Sequence, residues 1–423
     1  MAYKFIEGGV AAAQGFLASG VLNKIKESRT TYDTALIYSE TECNAAGVFT
    51  QNRVKAECVK FTKAQLADGK AQAVIMNSGN ANACTGKQGY ENAEKEAAAV
   101  SGKLKISKNN VLVCSTGVIG QQLPVQKILD GLDSSVRLLS KTGNVEARQA
   151  IMTTDTKYKE TALETEIGGK TVRIGTMAKG SGMIHINLGT MLSVITTDLA
   201  ISSQMLEKAL RLSAAGTYNC VSIDGDTSTN DTLLILANGK AGNKEISSEG
   251  ADFDAFVAAL NILNTQMAKK IAADGEGASR LVTCNVVGAD TVENARGLAK
   301  AVICSNLVKA AFFGADANWG RILDAMGYSG FCFTPEKTSV SFLSREGAKR
   351  YFEEGVQNGG KENVIKVFDH GVPLDFDEAL AKKILSEESV EILVELEDGN
   401  AEGTAWGCDL TYDYVKINGD YRT

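Results

Sequence analysis

Histidine is nearly missing from this sequence: of 423 residues, only His185 and His370 carry an imidazole. Most hydrolytic and acyl-transfer sites move protons with histidine, so a Ser-His-Asp or Cys-His machine would have to be built on one of these two. Proline is almost as scarce, three residues against 42 glycines, which leaves a backbone free at many points and rarely locked. Positive charge is short as well. With 44 Lys and Arg against 51 Asp and Glu the net charge is −7, whereas a general affinity for nucleic acid or anionic lipid begins with a basic surface. No apolar run approaches the ~18 residues that suggest a membrane span, and Met1-Ala2-Tyr3-Lys4-Phe5-Ile6-Glu7 lacks the basic-then-apolar layout of a signal peptide. The nine cysteines are scattered through apolar segments, with no CxxC pair. Buried, reduced thiols in a cytoplasmic protein are expected, rather than a disulfide framework or a zinc site.

What is present reads as a large folded chain. Apolar residues make up 44% and charged residues 22%, ordinary for a globular protein, and the length exceeds the need of one core, so two or more lobes are expected. Short apolar runs at 73–76, 111–114, 233–237, 281–287 and 390–396 predict buried strands. Phe256, Leu260, Leu263, Met267 and Ile271 recur at helical spacing before a stop at Asp274-Gly275. A second helix is expected from Thr291, carrying Leu298, Val302 and Leu307, and a third, with Leu206 and Leu210, after a cap at Ser202-Ser203. Strands and helices alternate, which predicts an α/β or α+β chain of layered sheets. No linker announces a domain boundary. Near the end, Trp406, Cys408, Leu410, Tyr412 and Tyr414 alternate, predicting a strand over 406–417 that reaches a turn at Asn418-Gly419.

Three nucleotide-binding signals fail on inspection. In Gly79-Asn80-Ala81-Asn82-Ala83-Cys84-Thr85-Gly86-Lys87-Gln88, Gln88 stands where a phosphate loop needs Ser or Thr. Gly180-Ser181-Gly182 and Gly275-Glu276-Gly277 open dinucleotide fingerprints but place His185 and Arg280 where the third glycine belongs. Asp224-Gly225-Asp226-Thr227-Ser228 reads either as a polar turn or as paired carboxylates gathering Mg²⁺ beside a nucleophile. No His/Cys/Asp/Glu set has metal-ligand spacing.

The run Lys179-Gly180-Ser181-Gly182-Met183-Ile184-His185-Ile186-Asn187-Leu188-Gly189-Thr190-Met191-Leu192 carries the chemistry. Its plain reading is a loop entering a strand. The other reading starts from the hydroxyl of Thr190, which can attack its own preceding carbonyl. An N-to-O acyl shift and hydrolysis then release it as a new N-terminal residue. The freed α-amine, with an ordinary pKa of ~7.7–8.0, is a base suited to neutral pH. Such an enzyme needs no catalytic histidine. Its oxyanion hole needs fixed donors, and Cys114-Ser115-Thr116-Gly117-Val118-Ile119-Gly120, following an apolar strand, reads equally as such a site or as an ordinary Gly-containing turn.

At these residues the chain resembles the ornithine acetyltransferase (glutamate N-acetyltransferase) family. Ala45-Ala46-Gly47-Val48-Phe49-Thr50-Gln51-Asn52, Asn77-Ser78-Gly79-Asn80-Ala81-Asn82-Ala83-Cys84-Thr85-Gly86, Ser115-Thr116-Gly117 and Met152-Thr153-Thr154-Asp155-Thr156 are similar to its N-terminal motifs. The run from Lys179 to Leu192 is similar to its self-cleavage segment. Ser222-Ile223-Asp224-Gly225-Asp226-Thr227-Ser228-Thr229-Asn230-Asp231-Thr232, Asp274-Gly275-Glu276-Gly277-Ala278, Asn318-Trp319-Gly320-Arg321 and Tyr421-Arg422-Thr423 complete the series. The resemblance implies cleavage at Gly189-Thr190 into an α chain, 1–189, and a β chain, 190–423. It implies Thr190 as nucleophile, Thr116 and Gly117 as oxyanion donors, and Thr153, Lys179, Thr190, Glu276, Asn418 and Thr423 as substrate contacts. It further implies a DmpA-like sandwich of sheets between helix layers, two copies of each chain or a larger assembly, and no cofactor. The chain departs from the family pattern in two places: Gly189 stands where alanine is usual, and His185-Ile186 where the family has Ala-Pro.

The implied reaction is ping-pong: N-acetylornithine acylates Thr190, and glutamate takes the acetyl group, with acetyl-CoA as a possible further donor. An aminopeptidase or amidase of the same superfamily, with water as acceptor, is the nearest rival. A Mg²⁺-dependent phosphotransferase built on Asp224 and Asp226 is a more distant one.

Overall fold

The computed structural model describes residues 2–185, 191–356 and 360–420, so Gly189, Thr190 and Thr423 lie outside the described residues. Two compact units emerge, Met1–Asn219 with Asp226–Met267, and Cys220–Gly225 with Ala268–Thr423. The passage from one to the other at Met267 falls inside the helix Ala251–Ala273. No linker exists there for composition to betray.

The first unit is built on strands β1 (Tyr3–Ile6), β2 (Phe16–Val21), β3 (Thr34–Phe49), β4 (Lys70–Asn80), β5 (Val111–Val118), β6 (Lys159–Ile167) and β7 (Lys170–Lys179). After the short β8 (Ile184–His185) come β9 (Leu192–Thr197), β10 (Ser222–Thr227) and β11 (Thr232–Ala237). Nine of them form one mixed sheet in the order β1-β6-β7-β9-β11-β3-β4-β5, with β2 also paired to β3. Both faces of this sheet are covered, which explains the unbroken apolar runs. Val74, Met76, Leu112 and Cys114 face one core, together with Ala147 and Ala150 of the helix Asn144–Ala150. Their neighbours Ala73, Ile75, Val111 and Val113 face the other. There Ala93, Ala97 and Val100, spaced by four and three, line one side of the helix Gly86–Leu104, and Ile128 and Leu132 do the same for Val125–Arg137. Each buried side chain of leucine size contributes about 1.5–3 kcal/mol.

β7 pairs antiparallel with β9, and β9 pairs parallel with β11. The sheet therefore knits together residues from both sides of position 189. The helix Ser203–Gly216 starts as expected, with the Ser202 hydroxyl accepting from the Met205 N–H.

The second unit carries β12 (Leu281–Ala289), β13 (Ser339–Leu343), β14 (Val364–Asp369), β15 (Val372–Pro373), β16 (Ser389–Glu395) and β17 (Ala401–Cys408), in the order β15-β14-β13-β16-β12-β17. The expected layered α/β organisation holds in both units. Two local expectations do not. The helix capped by Thr291 ends at Cys304, where Ser305 caps a new helix, Asn306–Phe313, so Leu307 belongs to the next element and is exposed. The predicted strand over 406–417 stops at Cys408. Asp409 then accepts hydrogen bonds from the N–H groups of Ser279 (2.8 Å) and Arg280 (3.1 Å), and Tyr412–Gly419 form a helix. Asn418-Gly419 is the end of that helix, not a hairpin turn, and Tyr412 is 83% exposed. The alternation there was coincidental.

The described residues contain no helix long and apolar enough to cross a membrane. Six of the nine cysteines are buried and Cys304 is half-buried, but Cys84 and Cys332 are exposed, contrary to the expectation that all are buried.

Candidate active site

Thr116 and Gly117 lie inside β5 rather than after it. β4 and β5 run parallel with Ser78 opposite Thr116 and Gly79 opposite Gly117, and the register slips at Asn80, which faces both Thr116 and Val118. Such a slip kinks a strand locally and re-aims its groups. Gly117 has φ +135°, and a Cβ there would stand 2.3 Å from the Gly79 carbonyl carbon and 2.5 Å from the Asn80 nitrogen. Only glycine permits this approach.

The motif at 77–86, which resembles a phosphate loop in sequence, is a brace for this kink. Asn80 donates from Nδ2 to the carbonyls of Gln121 (3.1 Å) and Gln122 (3.3 Å), and its Oδ1 accepts from the Asn82 N–H (2.8 Å). Asn77 Nδ2 donates to the Asn80 carbonyl (3.0 Å), and the Ala81 and Gly120 N–H groups donate to Val118 and Ala83 (both 3.0 Å). The segment 227–231 is fastened alongside. Asn230 Nδ2 donates to the carbonyls of Ala81 (2.5 Å) and Ser115 (2.8 Å). Thr50 donates from its hydroxyl to the Ser228 carbonyl (2.7 Å) and from its N–H to that of Asp231 (3.0 Å).

Lys179 closes β7 and is 8% exposed. Its Nζ lies 4.0 Å from Asp155, whose carboxylate also accepts from Lys159 Nζ (2.7 Å), the Gly180 N–H (2.8 Å) and the Thr153 N–H (3.0 Å). Burial disfavours the charge on Asp155, but Lys179 and Lys159, with the bonds from Lys159 and Gly180, outweigh it and hold the carboxyl well below the usual carboxylate range. Asp231 is the opposite case. Burial dominates there and raises its pKa well above the ordinary value, against the smaller pulls of the Ser228 hydroxyl, the Lys179 charge and the Met191 N–H.

A cavity of about 20 Å³ is lined by Thr116, Lys179, Met191, Ser228, Asn230 and Asp231, with Gly182, Met183 and Ile184. It has room for about one water molecule. The structure thus brings together Thr116 and Lys179 at the chain that leaves position 190, with Thr153 tied to Lys179 through Asp155. Glu276 and Asn418 meet within the second unit: Asn418 Nδ2 donates to Glu276 Oε2 (2.7 Å), while the Thr411 hydroxyl donates to the Gly277 carbonyl (2.7 Å).

Sequence reading assigned no role to Asp155, Lys159, Asn230 or Asp231. The available signal was a charged or amide side chain inside or beside a strongly apolar run, as Asp231 stands before Thr232–Ala237. His370 is exposed between Asp369 (3.2 Å) and Glu397 (3.0 Å), which raise its pKa, and His185 offers its carbonyl to the Thr227 hydroxyl (3.1 Å). Asp224 accepts from the Tyr414 hydroxyl (3.3 Å), and among the described residues no group of three or more His, Cys, Asp or Glu side chains is gathered for a metal ion.

The ArgJ family model matches residues 17–423. The chain belongs to the ArgJ family. An ArgJ named as an arginine biosynthesis bifunctional protein, from Caldanaerobacter subterraneus subsp. tengcongensis, is 47% identical over 420 residues, covering 99% of this chain and 100% of its own. A Clostridium acetobutylicum protein named arginine biosynthesis bifunctional protein ArgJ 1 is 47% identical over 408 residues, 96% of each chain. The crystal structure of the bifunctional ArgJ of Bacillus halodurans has a TM-score of 0.47 at 40% identity, over 53% of this chain and 96% of the other.

Proposed function

We propose that this member of the ArgJ family cuts itself between Gly189 and Thr190 and then moves an acetyl group from N-acetylornithine to glutamate in arginine biosynthesis. The reading is supported above all by one juxtaposition: Thr116, beside the kink at Gly117, shares a cavity with buried Lys179 and with Met191, the residue that follows Thr190. In the proposed cycle the Thr190 hydroxyl attacks the acetyl carbonyl and its proton passes to the free α-amine. The Thr116 hydroxyl and the Gly117 N–H then stabilise the oxyanion, as fixed donors do in a site shielded from water. The ornithine amine leaves with that proton, the glutamate amine attacks the acetyl-threonine, and the same donors act again. Lys179, its charge balanced by Asp155 and oriented by it, binds the α-carboxylate of each amino acid. Thr153, Glu276, Asn418 and Thr423 complete the substrate contacts.

Because β7 and β9 are neighbours in one sheet, the pieces 1–189 and 190–423 remain together after the cut. Two copies of each form the expected cytoplasmic enzyme. The relatives' description as bifunctional favours a second activity on the same acetyl-threonine, with acetyl-CoA as donor and glutamate as acceptor.

Intact mass and N-terminal sequencing test the proposal. The purified protein should give two pieces, the larger beginning Thr-Met-Leu. N-acetylornithine alone should add one acetyl mass to that piece, and glutamate should remove it. An uncut, active chain would refute the mechanism, and rapid hydrolysis that glutamate leaves unchanged would turn the reading to an amidase.

A further inference from the structure

In the first unit a second cavity, of about 450 Å³, is lined by the end of β3, the helix Glu57–Gln65 and the start of the helix Ser203–Gly216. That volume is in the range of small-molecule sites. β4 begins only at Lys70, opposite Asn44, so residues 46–49 of β3 pair with β11 alone and leave their other edge open to the cavity. An open edge offers N–H and C=O groups to whatever lies beside it. Gly69, at φ +70°, holds the opening: its carbonyl accepts from the Ala45 N–H and the Ser203 hydroxyl (both 2.8 Å), and a Cβ there would stand 2.7 Å from Ser203 Cβ. The cavity carries three cations against two carboxylates, in a chain whose net charge is −7. Arg211 is tied to Glu207 (2.8 Å), and Asp68 accepts from the Lys70 N–H (3.0 Å). Lys55 and Lys63 face the same space with no hydrogen bond or ion pair among the described residues. Two such lysines beside an open strand edge call for an anion. The motif at 45–52 supplies much of this lining, and acetyl transfer itself uses none of it beyond Thr50.

Thr50 joins this cavity to the small one that holds Thr116 and Lys179. It lines the larger cavity, while its hydroxyl donates to the Ser228 carbonyl (2.7 Å) and its N–H to that of Asp231 (3.0 Å), two residues that line the smaller. Phe49, Thr232 and Leu192 stand in register across β3, β11 and β9. Two strand spacings, about 10 Å, therefore separate the open edge from the start of β9, a span that the extended arm of coenzyme A exceeds. The smaller cavity has room for about one water molecule, so a donor much larger than an acetyl group must keep its bulk elsewhere. We infer that the larger cavity seats the phosphate-bearing nucleotide end of acetyl-CoA, with Lys55 and Lys63 on its phosphates. This rests on the second activity read above from the relatives' description. Lysine is suited to the task as a compact point charge on phosphate, and Glu207, already balanced by Arg211, does not oppose it. No bond is made or broken in this cavity.

The test follows transfer to glutamate from acetyl-CoA and from N-acetylornithine on the same preparations of the full chain. Lys55→Ala and Lys63→Ala should each raise KM for acetyl-CoA about tenfold, the worth of one charge-assisted contact, and leave kcat in place. KM and kcat with N-acetylornithine should not change. Replacing both lysines by arginine keeps the charge and should keep KM for acetyl-CoA close to wild type. Acetylpantetheine, which has the arm and the thioester but no nucleotide, is the third donor, and its KM should be the same in wild type and in both alanine variants. Lysines with a merely structural role would shift the N-acetylornithine and acetylpantetheine reactions as well, and that result overturns the inference. So does a Lys55→Ala, Lys63→Ala double variant whose KM for acetyl-CoA equals that of wild type. A wild type that uses N-acetylornithine but never acetyl-CoA removes the second activity and this seat with it. One that uses acetyl-CoA, with the double variant matching it, removes the seat alone.

Discussion

Gly117→Ala should disable this protein through two separable effects. The first is backbone strain, since alanine at φ +135° costs of order 1–3 kcal/mol. The second is collision. The new methyl would meet Gly79 C at 2.3 Å, Asn80 N at 2.5 Å and Gly79 O at 2.7 Å, all backbone atoms that no rotamer change can clear, for roughly another 1–3 kcal/mol. β5 can escape only by moving off β4, which carries the Gly117 N–H and the Thr116 hydroxyl away from the cavity. The melting temperature should fall by roughly 5 °C or more, at ~2–4 °C per kcal/mol for a unit of this size. Acetyl transfer should fall by about 10²–10³, the effect of removing one oxyanion donor. Gly120→Ala separates the two effects: Gly120 also has positive φ, +82°, but has nothing within 4 Å of a built Cβ, so it should show the strain without the lost turnover. Measured by thermal unfolding and transfer on the same preparations, a Gly117→Ala protein with wild-type turnover would refute the placement of the oxyanion site.

Asp155→Asn should lose a buried ion pair, whose disruption typically costs about 3–5 kcal/mol. The Asp155 pKa is depressed in the fold, so its stabilisation is fully present above the unfolded-state value of ~3.9 and is lost as pH falls through the folded value. The stability gap between wild type and variant in urea should be widest at neutral pH and narrow progressively below about pH 4; a gap independent of pH would contradict the ion-pair account. For the thiols, a colorimetric thiol reagent at neutral pH should find two fast groups, Cys84 and Cys332. Burial pushes Cys43 and Cys58 up to about 12, so these should react only on unfolding, and a fast Cys58 would be inconsistent with the packing of that core.

The strands legible in the sequence were those whose apolar runs are buried on both faces, such as Val74 to Met76, because a doubly covered sheet demands continuous hydrophobicity. Caps were legible too, since Ser202 and Thr291 act within three residues of themselves. The C-terminal helix was not: Asp409, just after β17, bonds to Ser279, a contact across 130 residues that no local pattern announces. The same holds in the candidate site. Lys179 was marked by the motif it sits in, whereas Asp231 becomes conspicuous only when Thr50, Met191 and Lys179 are brought around it.

The scarcity of histidine is best understood from that arrangement. A triad base keeps its tautomer and pKa largely through one oriented carboxylate. In this protein the same control would be distributed over groups fixed by the backbone: Asp155 sets the charge of the Lys179 pocket, the kink at Asn80 presents the oxyanion donors, and Asn230 ties both to the segment that ends at Asp231. Asn230 reaches back 149 positions to Ala81, so the site would not be complete before the sheet has closed. Self-cleavage would then be licensed by folding itself. In the proposed cycle the same donors and charges would serve both acetyl transfer and cleavage, and a chain that has not yet paired β9 with β7 and β11 would lack them.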